Sequence, residues 1–176
     1  ITIMETHKGG GWKVAREQPK AELVDPEKLK LPPYYPDHPI ARDEYANYLD
    51  AVHLVDGYVG RLLARLEKDG LAQNTIVVVS SDHGPLFRGK QFLYDNGLRI
   101  PLIVKFPDGR GAGTVDDSLV SGVDLAPSML GLAGITPPPG AVHGRNVFDP
   151  GAPRPTHIFA ARDRMDTSID RMRAVR

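Results

Sequence analysis

Asn74-Thr75-Ile76-Val77-Val78-Val79-Ser80-Ser81-Asp82-His83-Gly84-Pro85 is the stretch on which the fold turns. Its β-branched run is apolar on both faces of the pleat, the pattern of a central strand in a sheet covered on both sides. Upstream of it, Tyr45, Tyr48, Leu49, Val52, Val55, Val59, Leu62, Leu63 and Leu66 recur at steps of three and four, which puts them on one face of a helix. Asp43 and Glu44 lie where the helix dipole favours negative charge, with Arg61, Arg65 and Lys68 near the far end. Gly70 can then end the helix in the left-handed conformation, so a helix of about 25 residues is expected. Downstream, Ile100-Pro101-Leu102-Ile103-Val104-Lys105-Phe106 repeats the buried-strand pattern and stops at Pro107-Asp108-Gly109-Arg110-Gly111. Strands alternating with helices predict an α/β fold, a mostly parallel sheet with helices on both faces.

The flanks read less sharply. Ile1 to Met4 is expected as a short strand, closed by the loop that Gly9-Gly10-Gly11 forces. Trp12 to Pro39 mixes Lys, Glu and Pro without a period and reads as a long surface loop. Val115 to Val120 is expected as a strand, Asp124 to Ala133 as a short helix and Thr156 to Ala161 as a strand. The chain opens inside an apolar run and stops at Met172-Arg173-Ala174-Val175-Arg176 with no closing element, so it is expected to be a piece of a larger protein.

Composition removes several classes of function. The 176 residues hold 22 Lys+Arg and 22 Asp+Glu, a net charge of zero with no long basic run, which argues against non-specific nucleic-acid binding. No apolar run approaches the roughly 20 residues needed to span a bilayer. The absence of cysteine excludes disulfides, zinc–thiolate sites and thiol nucleophiles.

Chemistry concentrates after the buried strand. Ligands of open α/β sheets sit outside the carboxyl ends of strands, where Ser81-Asp82-His83-Gly84 falls. Neighbouring residues of a strand point to opposite faces, so Asp82 and His83 share an ion only if the chain turns there, as Gly84 and Pro85 allow. A carboxylate beside an imidazole suits a divalent cation. The alternative is that Asp82 caps a turn and His83 is a half-buried, hydrogen-bonded side chain. Lys90, after Gly89, is either an ammonium that neutralises an anionic oxygen or a solvated surface lysine. His7, before the glycines, titrates near neutrality and is a candidate proton donor to a leaving group, though a loop histidine commonly has no such task. Arg99 reads as a structural ion-pair partner, and His38, His53, His143 and His157 as structural or turn residues.

In order and spacing these pieces resemble the sulfatase family of the alkaline-phosphatase-like superfamily. The resemblance rests on Tyr48-Leu49-Asp50-Ala51-Val52, Asp56 to Leu63, Leu71 to Val78, Ser81-Asp82-His83-Gly84, Gly89 to Val104 and Val123 to Ile135. It covers most of residues 1–148, the downstream part of a catalytic domain, and leaves 149–176 as the start of a smaller C-terminal subdomain. It implies an α/β fold, incomplete here, and hydrolysis of a small-molecule or carbohydrate sulfate ester, with a periplasmic or secreted location. Asp82 and His83 would be metal ligands, Lys90 would contact the sulfate and His7 would face the leaving group.

The implied cofactors are a divalent metal, calcium first, and a formylglycine nucleophile made from the Cys or Ser of a Cys/Ser-x-Pro-x-Arg motif. No such motif occurs in these residues, nor does the early aspartate pair of the metal site, so both would lie upstream. Many sulfatases have asparagine where His83 stands. An imidazole tilts the preference toward manganese and brings the pattern close to phosphodiester and phosphonate monoester hydrolases of the same superfamily. A truncated, non-catalytic member is the remaining alternative.

Overall fold

The computed structural model describes residues 1, 3, 6, 10–17, 19, 23–85 and 90–176. They form two units, one of residues 1–80 and 101–112, the other of 81–100 and 113–176.

Two helices dominate the first unit. Helix α2 runs from Pro39 to Lys68, four residues earlier than its acidic pair implies. Its start is set by His38, whose Nδ1 accepts from the Ile40 amide at 3.2 Å, while Pro39 supplies a helical φ at the first position. Its end follows the expectation: Gly70 has φ +69°, and the amides of Gly70 and Leu71 reach back to the carbonyls of Glu67 and Leu66.

Helix α1, Gly10–Arg16, lies where a loop was expected. It packs on α2 and buries Trp12 and Ala15, as α2 buries Ala46 and Ala51. The Trp12 and Tyr48 rings lie 6.5 Å apart, and the Arg16 guanidinium bonds the Asp43 carboxylate at 2.7 Å. Arg42 then ties the loop before α2 to its first turn. It pairs with Asp37 at 2.6 Å and donates to the carbonyls of Pro26 and Leu29 at 3.1 and 2.9 Å.

Strands β1 (Val77–Ser80) and β2 (Leu102–Lys105) pair in the register Val77↔Lys105 to Ser80↔Leu102, and the pairing is antiparallel. The other pair, β3 (Phe159–Met165) and β4 (Ser168–Val175), is also antiparallel. The mostly parallel sheet expected from sequence is therefore not formed among the described strands. Parallel neighbours need a crossover, usually a full helix, whereas the only helix described between β1 and β2 is the four-residue α3, Asp95–Leu98. Hydrophobic period reports burial of both faces and carries no information on strand direction. Val77, Val78 and Val79 are half-buried and Ile103 is 63% exposed.

The second unit is organised around buried polar groups. Helix α4, Leu125–Leu132, follows a one-turn 3-10 segment, Gly122–Asp124, closed by a reciprocal Ser121–Asp124 cap. Asp124 is buried and accepts from the amides of Ser121 and Arg145, both at 3.0 Å. Ser128, also buried, donates to the Asp124 carbonyl and accepts from the Val147 amide. Gly134, at φ +69°, ends α4 as Gly70 ends α2. No strand forms over 115–120. The strand expected at 156–161 starts at Phe159 and continues to Met165, and β4 closes a hairpin where no final element was expected. Of the strand expected over Ile1–Met4, the described Ile1 and Ile3 lie in no strand, while Thr2, Met4 and His7 fall outside the described residues.

Candidate active site

The Ser81–Gly84 turn follows β1 directly and belongs to the second unit. Ser81 Oγ donates to the His83 carbonyl at 2.7 Å, which closes the bend. Gly84 is buried, and its amide donates to the Gly97 carbonyl at 3.2 Å. A Cβ at position 84 would overlap the Asn96 carbonyl oxygen and lie 2.7 Å from its carbon. Glycine is thus required by close approach of two backbones, in addition to the bend that the sequence indicates.

The bend turns Asp82 and His83 toward each other: Oδ2 of Asp82 lies 3.8 Å from Nε2 of His83. His83 Nδ1 sits 2.7 Å from the Gly84 carbonyl oxygen. A carbonyl can only accept, so Nδ1 carries the proton and Nε2 of the neutral ring presents a lone pair. Two acceptors then face one another. They are reconciled by a proton on Nε2 or by a cation shared between them. The Asp82 side chain is 88% exposed and that of His83 29%, so the carboxylate is open to an arriving ion while the ring is held.

That donor pair fits a divalent cation: a hydrogen bond on the far nitrogen fixes the ring, and the free nitrogen meets a carboxylate oxygen. Among the described residues no third His, Asp or Glu joins them.

Lys90 belongs to the same unit and is half-buried. Its neighbour Gln91 has a left-handed backbone, φ +71°. Gln91 Nε2 donates to Asp166 Oδ1 at 2.7 Å, in the turn between β3 and β4, and its carbonyl accepts from Arg162 of β3. Arg162 and Asp166 carried no motif in the sequence, and Gln91 lay in the Gly89 to Val104 run with no task assigned to it. Their relation spans more than seventy residues and depends on a hairpin that periodicity did not reveal. Arg99, expected in an ion pair, has no ion-pair partner among the described residues, whereas Asp95 pairs with Arg176. His7 lies outside the described residues.

A sequence model of the family named Sulfatase matches residues 3–135. The ulvan-active sulfatase of Formosa agariphila is 37% identical over 150 residues, covering 85% of this chain and 25% of that protein. An N-acetylglucosamine-6-O-sulfatase of Bacteroides thetaiotaomicron is 41% identical over 98 residues, 52% of this chain and 17% of that protein. The human N-acetylgalactosamine-6-sulfatase is 33% identical over 132 residues, 66% of this chain and 25% of that protein. The chain spans about a quarter or less of these curated relatives. A solved structure in complex with its substrate D-glucosamine-2-N,6-O-disulfate matches with a TM-score of 0.64 at 28% identity, over 80% of this chain and 32% of that one.

Proposed function

The chain belongs to the sulfatase family, and from that premise we propose that it supplies the downstream part of the catalytic domain of a metal-dependent sulfuric ester hydrolase. Its named relatives are sulfatases, and no described helix is long and apolar enough to cross a membrane. The observation that carries the proposal is the pair Asp82 and His83, with the proton of His83 committed to the Gly84 carbonyl and its free nitrogen 3.8 Å from the carboxylate. Asp82 and His83 hold the metal, calcium by the family pattern or manganese by the imidazole. When bound, that ion stabilises negative charge on the ester oxygens.

The chain's own residues do the rest. The Lys90 ammonium faces the anionic ester and stabilises charge that grows as the bond to the alcohol breaks. His7 is the candidate proton donor to that alcohol. The nucleophile, a formylglycine, comes from another part of the protein. The β1–β2 ribbon belongs to a larger, mostly parallel sheet, residues 149–176 begin the smaller subdomain, and the substrate is a sulfated carbohydrate met outside the cytoplasm. Sulfated sugars are what the names of the similar proteins specify.

The test is turnover of an aryl sulfate beside an aryl phosphodiester by the whole protein. Preferential sulfate hydrolysis supports the reading. Cleavage of the phosphodiester alone would transfer the chain to the phosphodiester hydrolases that share the Asp-His pattern.

A further inference from the structure

Among the described residues, two non-glycine backbones are left-handed, Gln91 at φ +71° and Asp166 at φ +52°, and their side chains are bonded to each other at 2.7 Å. Such conformations are unfavourable for residues with a Cβ and persist where surrounding contacts over-determine them. The surrounding contact here is Arg162. One end of its guanidinium donates to the Gln91 carbonyl, and the other bonds the Asp170 carboxylate and lies 2.8 Å from the Met172 sulfur. Its central carbon lies 5.4 Å from the centre of the Phe92 ring, and that ring stacks on Tyr94.

The Arg162 side chain is only 10% exposed, and its Nε is buried without a partner among the described residues. A buried guanidinium with an unsatisfied nitrogen, paired to a carboxylate that is itself 41% exposed, is a poor device for stability alone. The left-handed Asp166 is ordinary for an aspartate in a tight hairpin turn. Two unfavourable features, the left-handed Gln91 and the buried arginine that grips its carbonyl, nonetheless converge on the residue that follows Lys90.

We propose that Arg162 is a positioning residue for Lys90: by gripping the Gln91 carbonyl it holds the chain in the conformation that aims the ammonium. Arginine suits the task because its planar fork serves the carbonyl and the Asp170 carboxylate at once, which an ammonium on a flexible stem does not. The Gln91–Asp166 bond is a second fastening, from the hairpin tip. The inference rests on Lys90 being the group that meets the ester.

The test is a double-mutant cycle in the whole protein, read as kcat for an aryl sulfate. R162M is expected to lower kcat by roughly tenfold or more, with a smaller change in KM, since a displaced catalytic group costs turnover. In a K90A background the same substitution is expected to change kcat by less than about twofold, because the group it aims is gone. Equal fold-losses in both backgrounds overturn the positioning role while leaving Lys90 in the site. A K90A protein with parental kcat overturns the role of Lys90 and the positioning proposal with it. Should R162M fail to fold, the exposed tip variant D166A takes its place in the cycle. Its expected loss is about threefold, again abolished by K90A, and additivity again overturns the proposal.

Discussion

The backbones of Gly84 and Asn96 touch so closely that no side chain fits between them. The contact fastens the turn bearing Asp82 and His83 to α3, with Gly84 N–H bonded to the Gly97 carbonyl. Replacing Gly84 by Ala is expected to displace the turn and cost about 2 kcal/mol or more, as overpacked sites do. The control is Gly60→Ala in α2, where an added methyl meets nothing within 4 Å. It is expected to stabilise by roughly 0.5–1 kcal/mol through helix propensity. Thermal unfolding of the pair reads both signs, and a neutral Gly84→Ala would contradict the close approach.

Asp82→Ala is expected to lower the metal content of the whole protein, because a carboxylate ligand is lost. His83→Gln, which keeps a polar side chain but loses the imidazole, is expected to lower it as well. Metal per protein, measured after dialysis against a limiting concentration of calcium or manganese, decides the matter. Equal content in parent and both variants would leave the 3.8 Å pair as an ordinary His–Asp electrostatic contact.

Asp124 is a structural hub, and its loss should be felt in stability. Asp124→Ala would strand the amides of Ser121 and Arg145 and remove the carboxylate beside the largely buried Arg145 guanidinium. An orphaned buried donor costs about 1–3 kcal/mol, so a total on the order of 3 kcal/mol is expected. Denaturant unfolding checks it, with Asp116→Ala, an exposed carboxylate, as the mild comparison.

Alkaline pH should loosen the first unit. Burial, with the neighbouring tyrosines Tyr34, Tyr45 and Tyr48, pushes the Tyr35 phenol well above its ordinary value of 10.0, and Tyr45 and Tyr48 are raised in the same way. The folded chain therefore keeps phenol protons that the unfolded chain releases. Stability from this cluster is fully present below pH 10 and declines as pH rises beyond it. Tyr35→Phe should flatten that decline, and an unchanged slope would remove Tyr35 as its source.

What could be read from the sequence follows from what periodicity encodes. The end of α2 was legible because Gly70 has a single conformational reason to be there, and β1 was legible from its branched side chains. The start of α2 was not, since His38 caps by its ring nitrogen and histidine is an uncommon cap. Helix α1 was hidden by three consecutive glycines, against which only Trp12 and Ala15 mark a buried face. The hairpin was hidden because its strands are interleaved with arginines and aspartates, which pair across and along the ribbon rather than enter a core. Of the candidate site, Asp82, His83 and Lys90 were visible as residue types at a strand end. The fastening of Gln91 by a distant arginine leaves no trace in local pattern.

The antiparallel ribbon of β1 and β2 has a practical consequence. Its valines are only half-covered, Ile103 projects into solvent, and each strand has one described partner. Open strand edges with apolar flanks recruit other chains. Left uncovered, the edges of this ribbon are therefore expected to promote self-association as protein concentration rises.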